Sequence, residues 1–372
     1  MFLGCSWTWC IGMFLPVLLV RDLGLWGWIV FAIPNVVGAA AMGWVISRAD
    51  ASRRLVGEHR AACSLFSIIT IAFHVFFVIW FVPRLVGLPT AAMVLVLIAV
   101  YLLVTIGRPG LDLPAAGAAW IISLAMFAIF LFRSPHLSVP LSGSLPATDA
   151  LCLAPLCIFG FFLCPYLDLT FHRARGQLTA GQAKVSFGLG FGLCFLAMIT
   201  FSLFYAPALS PLLSPAWRLP ALGAIVATHL IVQSAFTVVV HVRSLISAEL
   251  KPAGLLGMLV LAQISLFAAL GTSLLPRYHS LDSGEVIYRL FMAFYGLVFP
   301  AYVWLFMFRP RHAIGGPSMA TFRALLLVLM VAGPMYWMGF IEGRMIWLIP
   351  GLAVVLLSRF TIPRLGGHVV AQ

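Results

Sequence analysis

Runs of about 20 mostly apolar residues recur along the whole chain, and each is long enough to cross roughly 30 Å of hydrocarbon as a helix. Of the 372 residues, 63% are hydrophobic and only 9% are charged. A soluble domain averages about 25% charged residues. A soluble fold has too little interior to hide this much apolar surface, so we expect an all-α integral membrane protein whose first partner is the lipid bilayer.

The same runs predict about twelve membrane-spanning helices. Their predicted bounds are 2–20, 23–47, 62–83, 89–107, 113–132, 150–168, 185–206, 219–245, 253–275, 286–308, 322–340 and 343–358. Of the 22 Lys and Arg residues, 15 follow even-numbered helices or lie at the C-terminus. Cytoplasmic loops carry the excess of positive residues, so we expect both termini in the cytoplasm and the chain in a bacterial inner membrane. The net charge of +12 then reflects orientation, and no nucleic-acid partner is expected.

Two of the runs are interrupted in a similar way by Gly and Pro. The first reads CIGMFLP over 10–16, and the second reads CIFGFFLCP over 157–165. A helix break frees backbone groups that survive in hydrocarbon only inside protein or around a polar cavity. Broken helices at matching places in two halves are the best sequence indication of a transporter's binding site. We therefore expect helices 1 and 6 to be broken and to face each other.

The two interruptions divide a single transmembrane domain, 1–372, into repeats. One five-helix repeat is predicted over 1–149 and a second over 150–310, followed by two peripheral helices in 311–372. Because five is an odd number, the second repeat enters the membrane from the opposite side. This is the inverted topology that a pseudo-two-fold axis in the membrane plane requires.

This layout resembles the leucine-transporter fold of the amino acid–polyamine–organocation superfamily. The opening string GCSWTWC over 4–10, with Gly12 and Leu15-Pro16, resembles the first broken helix of the sodium/solute symporter family. The stretch PYLDLTFHR over 165–173 is similar to the end of helix 6 in the related nucleobase permeases. The resemblance implies a secondary active transporter that moves a small organic solute by alternating access.

The sequence departs from the symporter pattern at two places. Trp7 stands where that family usually carries an Asp, and QSAFT over 233–237 stands where it usually carries a Ser-Thr-Ala-Asp-Ser run. Both Na⁺ and H⁺ therefore remain candidate coupling ions. No other cofactor and no metal centre is expected.

Polar residues recur every four positions in predicted helix 8. His229, Gln233, Thr237 and His241 share one helix face. Polar groups at this depth are by default functional candidates, and the alternative is interhelical hydrogen bonding. In the resembled fold helix 3 lines the cavity, where His74 would meet His229. A neutral imidazole both donates and accepts, and its pKa lies near physiological pH, so two histidines would allow proton coupling without a buried acid.

These arguments give two sets of candidate residues. The residues expected to contact the solute are Trp7, Trp9, Cys10, Gly12, His74, Phe161, Cys164, Tyr166, His229 and Gln233. The residues expected to bind a coupling cation, by analogy with the resembled fold, are Cys5, Thr8, Ser234 and Thr237. The aromatic members would stack on an apolar part of the solute, the alternative being ordinary packing.

The charge pattern also limits the solute. No Asp or Glu lies at the centre of a predicted span, so a cationic solute would lack a strong partner. The N-termini of broken helices favour negative groups. A zwitterionic, anionic or neutral solute is therefore expected.

Other classes of function stay open. A major-facilitator transporter also has twelve helices, and Gly43, Asp50, Arg53 and Arg54 loosely resemble its loop motif. A membrane sensor would bind without flux, and a membrane-embedded transferase would use one of the histidines. We expect no enzyme, because HExxH and GxSxG motifs are missing. The sequence leaves the oligomeric state open.

Overall fold

The protein is helical throughout the part that the structure describes. The computed structural model describes residues 1–46, 48–134, 138–209, 220–248, 252–308 and 319–361. Within these ranges the one extended pairing is an isolated bridge between Tyr278 and Leu281. The predicted boundary between the second repeat and the peripheral helices, at 310, lies outside the described residues.

The helices follow one another with short connections. In chain order they are α1 (Phe2–Trp7), α2 (Cys10–Leu23), α3 (Leu25–Val45), α4 (Ala49–Glu58), α5 (Arg60–Val86), α6 (Leu88–Thr105), α7 (Asp112–Arg133), α8 (Thr148–Leu163), α9 (Leu169–Gly176), α10 (Ala180–Leu189), α11 (Leu196–Leu209), α12 (Pro220–Ser247), α13 (Pro252–Gly271), α14 (Ser283–Ala293), α15 (Phe299–Tyr302), α16 (Met319–Phe340) and α17 (Leu348–Thr361). Ten helical segments of the described chain are long and apolar enough to span a membrane. These ten segments confirm an all-α architecture compatible with a membrane protein.

The first and last predicted spans are built from shorter pieces. The first consists of α1 and α2, and the last is α17. None of these three helices reaches 18 residues, so the count of twelve spans stays a prediction.

The first span is broken between α1 and α2. Thr8 and Trp9 leave the helical conformation, Trp9 with an extended ψ of 174°. Pro16 lies inside α2, about two turns beyond the break, and Gly12 is also helical. The unwound residues therefore precede the Gly-Pro interruption instead of coinciding with it.

The second break follows α8. A short 3-10 turn, Cys164–Leu167, leads to Asp168, whose ψ of 108° is extended. Pro165 takes an early position of this turn, where its missing N–H is not needed. Asp168 then caps α9, because its side chain accepts from the backbone N–H of Thr170. A helix that would otherwise continue is thus stopped by Pro and restarted by an N-cap.

Three segments have π-helical turns. They are Gly190–Phe195 between α10 and α11, Phe294–Val298 between α14 and α15, and Val303–Met307 after α15. A π turn accommodates one extra residue and re-aims the side chains on either side of it. These turns belong to predicted helices 7 and 10, which pack against the broken helices.

The helices divide into a buried group and a peripheral group. In α5, 83% of the most apolar window is buried, whereas in α6 the fraction is 6%. The large side chains of α6 and α13 are mostly exposed and apolar, as expected of surfaces that face lipid. The core therefore forms around α5 and the two broken helices.

Glycine permits the closest helix approaches in that core. A Cβ at Gly38 of α3 would lie 2.4 Å from the carbonyl oxygen of Phe161 in α8. A Cβ at Gly4 of α1 would meet the π-helical backbone at Gly190, 3.0 Å away. These contacts hold both broken helices against their neighbours with no side chain between the backbones.

Candidate functional site

A cavity of about 280 Å³ lies between the two helix breaks. Its walls come from both broken helices and from two further helices. The lining residues are Trp7, Trp9, Ile11, Gly12, Asn35, Phe161, Cys164 and Tyr295. The cavity therefore occupies the place where the sequence predicts a solute site.

His74 stabilises the first break by capping the N-terminus of α2. Its Nδ1 lies 2.7 Å from the carbonyl oxygen of Thr70, so Nδ1 carries the proton and donates it. Its Nε2 is then an acceptor, and the backbone N–H of Cys10 donates to it at 3.2 Å. The imidazole is neutral in this arrangement, because both nitrogens are committed in opposite roles. His74 satisfies a freed backbone group and does not line the cavity.

The other freed groups at this break also have partners. The indole N–H of Trp9 donates to the carbonyl of Ser6 at 2.5 Å, and Thr8 donates its hydroxyl to Gly4 at 2.8 Å. Tyr288 of α14 donates its hydroxyl to the carbonyl of Cys10 at 3.0 Å. A membrane protein can contain a broken helix when the freed backbone groups have hydrogen-bond partners of this kind.

The beginning of α2 faces the cavity with unused donors. The backbone N–H groups of Ile11 and Gly12 belong to the first turn, where no intrahelical acceptor exists. Both residues line the cavity. Asn35 accepts the indole N–H of Trp7 through Oδ1 at 2.6 Å, which leaves its NH₂ group as a further donor in the lining. This wall of the cavity suits a carboxylate or a carbonyl oxygen.

Tyr295 connects the second break to the centre of the molecule. The thiol of Cys164 donates to the Tyr295 carbonyl at 3.3 Å. The Tyr295 hydroxyl donates to Thr70 at 2.9 Å, because the Thr70 hydroxyl is already the donor to Phe66. Its ring packs at 5.4 Å from the ring of Trp9.

A larger and mostly apolar cavity of about 700 Å³ adjoins the first one. Phe161 and Tyr295 line both cavities and so lie between them. At its other end the larger cavity reaches Asp22 and Arg289. The smaller cavity is thus separated by two aromatic side chains from a larger cavity that ends at charged groups.

Those charged groups form a network between α2 and α14. Arg21 makes two parallel hydrogen bonds to Glu285, at 2.7 and 2.8 Å, and binds Asp22 at 2.7 Å. Arg289 binds Asp22 at 3.0 Å and Glu285 at 2.8 Å. Two cations balance two anions, which offsets the cost of holding them away from water.

The predicted solute residues fall into two groups. Trp7, Trp9, Gly12, Phe161 and Cys164 are brought together around the smaller cavity. Cys10, His74, Tyr166, His229 and Gln233 do not line it. Cys10 contributes backbone contacts to the break, as described above.

The other three lie elsewhere in the core. The ring of Tyr166 packs edge-on against Phe308 at 5.1 Å. His229 and Gln233 both reach Ser123 of α7, at 2.9 and 2.8 Å. They join α12 to α7, which is the interhelical hydrogen bonding named as the alternative for this face.

Two of the four predicted cation residues come into contact. The Thr237 hydroxyl lies 3.4 Å from the carbonyl oxygen of Cys5. Thr8 uses its hydroxyl within its own turn, and the Ser234 oxygen is buried without a partner among the described residues. Cys5 and Thr237 therefore join α1 to α12, but the four residues do not form a closed oxygen shell.

Sequence analysis missed Ile11, Asn35 and Tyr295 as cavity residues. Asn35 is the one amide in an otherwise apolar span, and a polar residue within a span is by default a functional candidate. Tyr295 lies in a π turn, and no pattern in the sequence indicates where such a turn begins. Ile11 is one of many apolar residues in its span, and its residue type does not distinguish it from the others.

Asp168 is a buried acid at the C-terminal end of the sixth predicted span, 150–168. In the structure it follows the last residue of the apolar segment Thr148–Leu167. Its Oδ1 accepts from the backbone and the hydroxyl of Thr170, both at 2.7 Å. Burial raises the pKa of this carboxyl group to about 7, against the lowering effect of Thr170.

The site as a whole offers aromatic faces, hydrogen-bond donors and enclosure. It contains no group of three or more His, Cys, Asp or Glu that could hold a metal, as far as the described chain extends. Its chemistry is that of selective binding. No family model, curated protein or solved structure matches this chain.

Proposed function

We propose that this protein is a secondary active transporter that moves a small organic solute across the membrane by alternating access. The observation that carries the proposal is the cavity bounded by both helix breaks. In a membrane, irregular backbone at depth is tolerated where it lines such a cavity. The proposal places the chain in a bacterial inner membrane with both termini in the cytoplasm.

The helix packing supports an inverted five-helix repeat. If predicted helices 1 and 6 are equivalent, and helices 2 and 7 are equivalent, the contact between α2 and α11 corresponds to the contact between α8 and α3. Both pairs pack closely. The pairs α5 with α12 and α3 with α10 map onto themselves and also pack. In a six-helix repeat, the contact between α3 and α8 would instead correspond to a contact between α12 and α17. These two helices are not among the closely packed pairs of the described helices.

The lining favours a solute with an oxygen-bearing end and a small apolar body. Donors from the start of α2 and from Asn35 suit a carboxylate or a carbonyl group. The rings of Trp7, Trp9 and Phe161 form apolar walls.

Uptake into proteoliposomes tests the proposal. The full chain is reconstituted and given zwitterionic, anionic and neutral solutes under imposed H⁺ and Na⁺ gradients. We expect accumulation of at least one carboxylate-bearing solute. Binding without accumulation would instead indicate a sensor, and chemical conversion of the solute would indicate an enzyme.

Variants locate the site within that assay. Trp9→Ala and Asn35→Ala should reduce uptake at least tenfold, because they remove a wall and a donor. Trp26→Ala is the matched control, since Trp26 is 53% exposed on the surface. Equal loss in Trp26→Ala, or no loss in the other two, would contradict the site.

The predicted helix 8 residues have their own outcome. If the face of α12 takes part in transport, Gln233→Ala and Thr237→Ala lose uptake while protein yield holds. Equal loss of yield and uptake would assign Gln233 to helix packing, in agreement with its bond to Ser123.

A further inference from the structure

We propose that Asp168 binds and releases a proton during the transport cycle and that this proton couples solute movement to the H⁺ gradient. The inference rests on the proposed transport function and names its coupling ion. It starts from one oxygen atom. Asp168 Oδ2 is buried and has no hydrogen-bond partner in the described part of the chain.

Asp168 differs from the other buried acids that the structure describes. Asp22 and Glu285 share Arg21 and Arg289, and Asp112 is paired with Arg173 and Arg243. Asp168 has no ion pair in the same described ranges, although its exposed fraction is 0%. A buried carboxylate without a cation is costly, so burial favours the protonated form.

The charged groups near Asp168 are committed elsewhere. On its own helix, His172 lies between Ser52 and the Tyr166 carbonyl, at 2.8 and 2.9 Å. Arg173 binds Asp112, and Arg175 binds the carbonyls of Ile46 and Leu178. Neither arginine is paired with Asp168.

The elements packed on α9 supply no cation to this carboxyl group within the described residues. On α4, Asp50 is paired with Arg48, and Arg53 and Arg54 are exposed. On α12, His241 contacts Ser67 at 3.1 Å and Arg243 binds Asp112. At the start of α5, His59 contacts Tyr302 at 2.9 Å.

The surroundings of Asp168 favour a proton over Na⁺. Its Oδ1 accepts from the backbone N–H and the hydroxyl of Thr170, and its Oδ2 has no partner among the described residues. A hard cation such as Na⁺ needs several oxygen ligands. A proton needs only the free oxygen of the carboxylate.

The position of Asp168 connects the proton to the solute. Cys164 begins the 3-10 turn that leads to Asp168, and it lines the smaller cavity. Phe171, in the helix that Asp168 caps, packs at 5.0 Å from the ring of Trp7. A change of charge on Asp168 therefore changes the electrostatic environment at both helix breaks.

The first test measures proton binding without a solute. A carboxyl group whose pKa is raised to about 7 in the folded state binds its proton more tightly than in the unfolded state, where the pKa is 3.8. Its contribution to stability is fully present below pH 3.8 and is lost as the pH rises from there to about 7. The folding equilibrium constant of the wild type should therefore fall about tenfold per pH unit up to about pH 7 and level off above it.

Thermal unfolding in detergent between pH 5 and 9 follows this change. Asp168→Asn mimics the protonated acid, so it should remove the slope and be the more stable protein at pH 8. Asp50→Asn is the matched control and should keep the slope. Infrared spectra should show a protonated carboxyl band that Asp168→Asn removes. An unchanged slope or band in Asp168→Asn would overturn the proposal.

The second test measures coupling. An inward H⁺ gradient should drive accumulation of the solute by the wild type, whereas Asp168→Asn should keep solute exchange and lose accumulation at least tenfold. Wild-type accumulation driven by Na⁺ and indifferent to H⁺ would overturn the coupling. A protein that shows the carboxyl signature but moves no solute would support the proton site and contradict the proposed transport function.

Discussion

At the residue scale, the most informative side chain is His74, whose contacts in the structure differ from those expected from the sequence. His74 was expected to contact the solute, and the structure uses it to accept the Cys10 N–H instead. The mid-membrane position was a valid signal of an uncommon task. Sequence alone does not say whether that task is binding a solute or satisfying the backbone that binds it.

The His74 contact predicts a specific loss of stability. His74→Ala would leave a buried N–H without an acceptor, which costs about 1–3 kcal/mol in addition to lost packing. His74→Gln offers a carbonyl oxygen at similar reach and should recover part of the loss. Thermal unfolding in detergent measures both.

Leu65→Ala, on the outer surface of the same helix, serves as the control and should change little. Equal destabilisation by His74→Ala and His74→Gln would mean that ring packing matters and the hydrogen bond does not.

At the element scale, helix existence was predictable and helix continuity was only partly so. The length of each apolar run can be read directly from the sequence, so the ten long helices agree with predicted spans. The breaks near Gly12 and Cys164 were expected, but the unwound residues at Thr8 and Trp9 depend on partners contributed by α5 and α14. Such partners lie far away in sequence and leave no local pattern.

The close approach of α3 and α8 gives a steric prediction. Gly38→Ala places a Cβ 2.4 Å from the Phe161 carbonyl, so the helices must separate. Overpacking of this kind typically costs about 1–3 kcal/mol, and more when backbone is the obstacle. The recovery of monodisperse protein on size exclusion should fall.

Gly117→Ala in α7 is the matched change, because nothing lies within 4 Å of its Cβ position. It should be neutral or slightly stabilising, since Ala is the better helix former. Similar behaviour of the two variants would show that α3 and α8 are not in backbone contact.

The charge network between α2 and α14 predicts non-additive effects. Arg21→Met alone leaves Glu285 with excess negative charge in a buried place, which costs about 3–5 kcal/mol. Arg21→Met combined with Glu285→Met leaves Asp22 and Arg289 balanced. The double variant should therefore be more stable than either single variant in thermal unfolding. Additive losses would contradict a coupled network.

At the scale of the whole molecule, apolar surfaces on α6 and α13 and the buried α5 fit a bundle surrounded by lipid. Orientation in the membrane rests on the distribution of Lys and Arg alone, because a helix packs equally well whichever way the bundle is inserted. The proposed repeat likewise depends on packing between helices that are distant in sequence. Sequence analysis reaches it only through two short interrupted segments.

Orientation gives a direct labelling prediction. Ser142→Cys follows the fifth predicted span and Gln177→Cys follows the sixth, and both positions are exposed. In intact cells, a membrane-impermeant maleimide should label Ser142→Cys and spare Gln177→Cys. Permeabilised cells should label both, which controls for reactivity. The reverse pattern would place the termini on the outer side.

The widened turn at Phe294–Val298 has an evolutionary consequence. Such a turn holds one residue more than its α-helical equivalent, so a single codon creates or removes it. Losing that codon would rotate one half of the helix by about 100° relative to the other, and Tyr295 would leave the wall shared by both chambers. A lineage can thus reshape the smaller cavity through one in-frame deletion, before any side chain in its wall has been exchanged.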